Sequence, residues 1–305
     1  MRTRFRPDHK LTARMGVTMF LLGLIYVAFI AALVVLIKSV VVIVLIVGGL
    51  LFVQFWFSDR IALYAMRARI VTPEQAPQLH GIIDRLCATA DMPKPQVAIA
   101  DLDMPNAFAT GRSPRRAVIA VTTGLLHRLD ADELDGVLSH ELSHIAHRDV
   151  VVMTTASFIG VLAGLVARFT LYSAMFGGGG GRDRRSGDQL FLLIMAVMAI
   201  SAAVYAISYL LLRALSRYRE LAADRAGAIL TGRPSELASA LTKISGDISR
   251  IPSRDLRAEQ PFNAFFFAPA LGAGASLSLL LSTHPSLEQR LDQLARLATE
   301  LGQET

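Results

Sequence analysis

The sequence predicts a mainly α-helical integral membrane protein with four transmembrane helices in two hairpins, and a polar α+β domain carrying a small antiparallel sheet. Three observations lead there. Apolar runs are long enough to cross a bilayer, the polar segment between them mixes helical and alternating periodicity, and basic residues crowd the ends of the first apolar pair. Across 305 residues, 53% hydrophobic against 18% charged and a mean hydropathy of +0.46 exclude a disordered chain or a fibre.

From Gly16 to Phe57 the only charge is Lys38. At about 1.5 Å per helical residue this run is roughly twice the thickness of a bilayer core, so it must fold back. The expected spans are Gly16–Ile37 and Val40–Phe57, with Lys38 and Ser39 at the turn. A cleaved leader is disfavoured, because the run is far longer than a signal core and no small-x-small site ends it. Arg2, Arg4, Arg6, Lys10 and Arg14 precede the pair, and Arg60, Arg67 and Arg69 follow it. The bias toward positive cytoplasmic flanks then puts both ends in the cytoplasm. The formal charge of +6 is therefore a topology and lipid-surface signal, and no nucleic-acid partner is expected.

A second pair of apolar stretches, Val150–Phe176 and Leu190–Leu212, flanks five consecutive glycines, Gly177 to Gly181, which cannot hold a helix. The chain thus divides into a basic N-terminus (1–15), a first membrane hairpin (16–57), a first polar part (58–149), a second hairpin with a glycine-rich loop over 177–189 (150–212) and a second polar part (213–305). Cys87 is the single cysteine, which rules out an intramolecular disulfide or a cysteine-rich metal site. Its expected role is that of a small buried hydrophobe.

In the first polar part, Thr72–Ala90 reads as an amphipathic helix with Leu79, Ile82, Ile83 and Leu86 on one face. Short strand-like runs follow at Gln96–Ala100, Ala107–Thr110 and Ala117–Thr122. Asp130, with Glu133 three residues on, has the spacing of a capping box and opens a helix to His147. In the second polar part, Arg217–Leu230, Ser235–Ile248 and Pro285–Leu301 have helical patterns, and the Phe-containing Gln260–Ser282 reads as a mobile or membrane-apposed loop, ordinary core filling being the alternative.

On the predicted helix, His140-Glu141-Leu142-Ser143-His144 is an H-E-x-x-H. At i and i+4 the two imidazoles share a face and can hold one zinc ion, while Glu141 can take a proton from a water that the ion activates. A catalytic zinc needs a third protein ligand. The extended motif with Gly and His three and six residues on is absent, since those positions are His147 and Val150. His147 remains a candidate on the same face. Glu220, in Arg219-Glu220-Leu221-Ala222-Ala223-Asp224, is the better one, with Asp224 one turn on to orient a ligand histidine. If Glu220 joins His140 and His144, the segment between them crosses the membrane an even number of times, which matches two apolar runs. A short Leu134-Asp135-Gly136 resembles an intramembrane protease motif, but it precedes the histidines within a polar helix.

Taken together, the H-E-x-x-H with Arg148-Asp149, Asn106-Ala107-Phe108-Ala109-Thr110-Gly111, Glu220 with Asp224, and Thr283-His284-Pro285 resemble the HtpX heat-shock membrane metalloproteases, relatives of the type-I CAAX prenyl endopeptidases. The resemblance covers nearly the whole chain; the basic N-terminal extension and the glycine-rich loop depart from it. It implies a gluzincin-type domain with one zinc held by His140, His144 and Glu220, and Glu141 as general base. It further implies an inner-membrane location in a bacterial cell and quality control of misfolded membrane proteins. Asn106, Ala107, Phe108 and Ala109 would lie by the substrate-binding edge strand, and His284 would approach the catalytic centre. We expect His284 to stabilise the oxyanion, a plain loop or capping histidine being the alternative. Asn106–Thr110 or Ala117–Thr122 would bind substrate as an added strand, a structural hairpin being the alternative for both. The competing class is a membrane-anchored zinc scaffold without turnover, for which the carboxylate of Glu141 would be unnecessary. A transporter would need ionisable residues inside the spans, where Arg168 is nearly the only one.

Overall fold

Free of proline and nearly free of charge, the first apolar run can satisfy its backbone in a membrane only as helix. In a computed structural model, which describes residues 8–37, 40–111, 113–149, 152, 184–250 and 285–302, it forms α1 (His9–Ile37) and α2 (Val40–Ala65). The elements that follow are β1 (Ala68–Ile70), α3 (Pro77–Ala90), β2 (Gln96–Ala100), β3 (Ala107–Thr110), a 3-10 turn (Pro114–Arg116), β4 (Val118–Thr122), α4 (Thr123–Arg128) and α5 (Ala131–Ala146). The last three are α6 (Arg184–Thr231), α7 (Pro234–Arg250) and α8 (Leu287–Glu300).

The chain divides into two units that interleave in sequence. One holds Ala13–Trp56 and Val152–Leu215, the other Met1–Thr12, Phe57–Val151 and Ser216–Thr305. In the first, the α1 residues Val17, Phe20, Leu24 and Val27 each leave more than half of their surface uncovered. Among the described residues, His9–Ala31 and Met195–Thr231 are helical stretches long and apolar enough to cross a membrane. The third apolar run, the glycines 177–181, the turn at Lys38 and Ser39, and the Phe-containing loop all lie outside the described residues. Residues 184–189, expected in the loop, belong to α6, and Leu190–Leu212 and Arg217–Leu230 are one continuous helix. No proline or glycine interrupts the chain between Gly187 and Gly227, so nothing ends the helix there.

The second unit carries the sheet, and here the expected antiparallel arrangement is corrected. Strand order is β1-β2-β4-β3, with β2 and β4 parallel and both outer pairs antiparallel. All five residues of β4 are buried. A run of that kind requires an inner position covered on both faces, which moves β3 to the edge and brings β4 beside β2. Strand β1, three residues within a basic stretch, carries no periodicity that could reveal it. Pro77 at the first turn fixes the start of α3, so Pro73 to Gln75, expected in the helix, instead make a turn closed by Gln75 N–H to Thr72 O at 3.0 Å.

The capping box forms as expected. Asp130 Oδ1 accepts from the backbone N–H of Glu133 at 2.9 Å, and Glu133 Oε2 accepts from that of Asp130 at 3.1 Å. From Glu133 to Ile145 every residue of α5 is buried, against α3, β3 and α7. Two glycines let neighbours approach. A Cβ on Gly136 would meet the Leu237 backbone of α7 at 3.1 Å, and one on Gly227 of α6 would meet His140 N and Ser139 Oγ, each at 2.9 Å.

Gly227→Ala is therefore expected to force α6 from α5 and to destabilise the protein by about 1–3 kcal/mol, the usual cost of overpacking, read as a lowered Tm in detergent. Cys87 is 4% exposed, and burial pushes its thiol up to about 11. Iodoacetamide should modify it slowly in the native protein and rapidly after denaturation.

Candidate metal centre

The spacing within α5 places His140 and His144 one turn apart on a single face, and α6 crosses that face with Glu220. The Nε2 atoms of the two histidines are 3.1 Å apart, and each lies 3.6 Å from a carboxylate oxygen of Glu220. One donor atom from each residue fits within 4.8 Å of the others, and all three side chains are buried. Ligand atoms about 2.0–2.1 Å from a tetrahedral zinc stand about 3.3 Å from one another, close to these separations.

The opposite ring nitrogens explain why the Nε2 atoms converge. His140 Nδ1 is 2.9 Å from Asp224 Oδ1, and His144 Nδ1 is 2.8 Å from Asp149 Oδ2. An ionised carboxylate only accepts, so both Nδ1 atoms carry the proton and both Nε2 atoms are left to bind. Burial acts to raise the carboxyl of Asp224, but Arg290 and His140 outweigh it and hold the group below the usual range. For Asp149 burial is likewise outweighed, by Arg219 and His144, and the carboxyl is held down at about 2.

Both aspartates are backed by buried arginines. Arg290, from α8 and only 2% exposed, donates from Nε to Asp224 Oδ2 at 2.7 Å and from Nη2 to Oδ1 at 2.6 Å. Gln293 fastens the same helix to Leu221 O at 2.6 Å. Arg219, next to Glu220, donates from Nε to Asp149 Oδ2 at 2.9 Å. Around the centre, the four buried carboxylates of Glu141, Asp149, Glu220 and Asp224 thus face the two buried guanidiniums of Arg219 and Arg290. The excess of two negative charges is what a divalent cation neutralises, and two imidazoles with one carboxylate are a zinc donor set. The same excess acts on protons. Burial disfavours a charged His140, and the carboxylates of Asp224 and Glu220 override it to bring the imidazole up to about 9.

Glu141 is also buried, and burial pushes its carboxyl up against the pull of both histidines. The backbone of Ala109, on β3, is a smaller influence in the same direction as the histidines. Strand β3 makes this possible. Thr122 N–H donates to Asn106 O at 2.9 Å, which makes Asn106 and Thr122 a hydrogen-bonded pair. By antiparallel alternation, Phe108 and Thr110 also bond toward β4, while Ala107 and Ala109 turn their peptide groups to the free side. The side chains of Asn106 and Phe108 are buried.

Of the residues singled out from the sequence, His140, Glu141, His144, Glu220 and Asp224 come together, with Ala109 against Glu141. His147 does not join them: its Nδ1 lies 2.8 Å from Ser143 O at the end of α5. His284 lies outside the described residues. Asp149 and Arg219 stand within the quoted motifs with no role assigned to them, and Arg290 is not singled out, because a buried arginine on an amphipathic helix such as α8 carries no local mark.

The family model described as Peptidase family M48 matches residues 73–298. The chain is 63% identical over 304 residues to "Protease HtpX homolog 1" of Streptomyces coelicolor, covering 99% of this chain and 98% of the relative. It is 52% identical over 302 residues to "Protease HtpX homolog" of Moorella thermoacetica, covering 99% of each. In fold it is similar to the crystal structure of S. mikatae Ste24p, with a TM-score of 0.51 at 18% identity over 94% of this chain and 67% of that one. A buried H-E-x-x-H with a carboxylate facing it, within a match of this extent, places the chain in peptidase family M48, among the HtpX-type proteases, as a metalloendopeptidase.

Proposed function

We propose that the protein is a zinc-dependent endopeptidase of the cytoplasmic membrane that hydrolyses misfolded or damaged membrane proteins, with a gluzincin-type centre of His140, His144 and Glu220. The observation that carries the reading is Glu141: a buried carboxylate next to the donor set on α5, with its pKa raised by burial. A scaffold that only bound zinc would have no use for it. When bound, the ion supplies a polarised water and a Lewis acid for the scissile carbonyl. Glu141 accepts the water's proton and returns it to the leaving amine, and a raised pKa suits a group that must do both. Asp224 holds His140 by its Nδ1.

Substrate adds to the outward side of β3, where Ala107 and Ala109, on either side of the buried Phe108, turn their peptide groups away from β4. Main-chain recognition of that kind accepts many extended sequences, as an unfolded substrate requires. His284, which precedes α8 in sequence, is assigned the oxyanion. Positive flanks put both ends of the first hairpin in the cytoplasm. A metal shared by Glu220 with His140 and His144 requires an even number of crossings between them. Together these give four spans in two hairpins, both termini in the cytoplasm and a site at the cytoplasmic membrane surface. The spacing supports them: Glu220 is eight residues past Leu212 and His144 six before Val150, within about 9–12 Å of an apolar run by helical rise.

Two outcomes are expected in detergent-purified protein. Glu141→Gln retains about one zinc but cleaves unfolded casein about 10²–10⁴-fold more slowly, the usual contribution of a positioned acid–base group; equal cleavage by both proteins would remove the assignment. Ala109→Pro deletes one N–H at an outward-facing edge position, where proline is tolerated. It should lower kcat/KM about 2- to 10-fold, the weight of one main-chain hydrogen bond to an added strand, with zinc content unchanged.

A further inference from the structure

The two ligand histidines are held alike at first sight, each by an aspartate backed by an arginine, but the second couple differs from the first. Asp224 meets Arg290 through both of its oxygens. Asp149 receives both His144 and Arg219 on Oδ2 alone, and its Oδ1 is buried without a hydrogen-bond partner among the described residues. A buried carboxylate oxygen left unpaired works against folding.

The backbone reaches this arrangement by a turn that L side chains seldom take. Helix α5 ends at Ala146, His147 is still right-handed, and Arg148 adopts a left-handed φ of 58°. That reversal returns Asp149, only five residues past His144, to the ring of His144. Arg219 comes from α6, immediately before Glu220, so it ties Asp149 to the helix that bears the third ligand. Its Nη2 stands 3.4 Å from His144 Nδ1, with the shared acceptor Oδ2 beside both.

We propose that Asp149 and Arg219 are a positioning couple that fixes the tautomer and orientation of His144, and so sets how tightly the centre retains its metal. The inference rests on the metalloprotease reading. Asp149 supplies the acceptor that keeps the proton on Nδ1 and the Nε2 lone pair toward the ion. Arg219 fixes where that acceptor stands relative to Glu220, so one contact aligns ligands from two helices. Partners of ligand histidines commonly contribute about 10- to 100-fold in metal affinity.

The test is a chelator-competition titration of zinc on the full-length protein in detergent, with the cobalt(II) d–d spectrum as a second readout. Wild type, Asp149→Asn, Arg219→Lys, Arg219→Ala and the Asp149→Asn/Arg219→Ala double variant are compared. The control is Asp135→Asn, which alters a largely buried carboxylate paired at 2.7 Å with Arg85 and in contact with no ligand. Asp149→Asn and Arg219→Ala should each weaken zinc binding about 10- to 100-fold and shift the cobalt spectrum. The double variant should lose little more than the weaker-binding single one, because the two act as a unit, and Arg219→Lys should recover part of the affinity. Asp135→Asn should bind zinc as wild type does. Asp149→Asn and Arg219→Ala proteins that are folded by circular dichroism and bind zinc with wild-type affinity would overturn the positioning role while leaving the protease reading intact. Should Asp149→Asn not fold, the Arg219 series decides, since it leaves the carboxylate in place: equal affinities across it overturn the proposal. A wild-type protein that binds no zinc would overturn the metal reading itself, and the couple with it.

Discussion

Two helices whose facing residues stand more than seventy positions apart in sequence must approach within van der Waals distance before His140, His144 and Glu220 can face one point. Everything else at the centre depends on that approach. Gly227 permits it, because a Cβ there would run into the amide of His140. Once α6 lies on α5, its helical repeat delivers Glu220 and Asp224 one turn apart, to the Nε2 and Nδ1 sides of the histidines respectively. A single packing contact thereby supplies both the third ligand and the first support.

That closeness concentrates buried charge, and the fold answers with counter-charge from several directions. Arg219 comes along the same helix and Arg290 arrives on α8. Glu133 and Asp135, buried one and two turns before the ligands on α5, are matched by Lys243 and Arg85 instead. The carboxylates on this helix are thus neutralised separately, and only the cluster around the ligands retains an excess of negative charge. Charge balance, rather than the motif alone, distinguishes the metal centre from an acidic helix face.

How much of this could be read in advance follows from what is local. Apolar length foretold helices at α1 and α2, the Asp130–Glu133 spacing foretold the start of α5, and the i, i+4 repeat foretold that His140 and His144 share a face. Each is decided within a few residues. Strand order was not legible: Val118–Thr122 looks like any short strand, and only its burial on both faces sends it to the middle of a mixed sheet. The continuity of α6 was hidden because a change from apolar to polar composition was taken for an end, although a helix needs a glycine, a proline or a cap to stop. Asp149 and Arg290 escaped because a buried ion pair belongs to two segments at once, and neither segment alone distinguishes it from a solvated charge.

Arg290 has a further consequence, one of timing. During synthesis the H-E-x-x-H helix leaves the ribosome first, Glu220 and Asp224 follow some eighty residues later, and the arginine that neutralises Asp224 emerges only after a further sixty-six. Until then, Asp224 is a buried carboxylate without its counter-ion, and α6 lacks the helix that clasps Leu221. A nascent chain therefore carries His140, His144 and Glu220 before it carries the arginine that backs Asp224. Of the described helices, α8 is the one that closes this side of the centre.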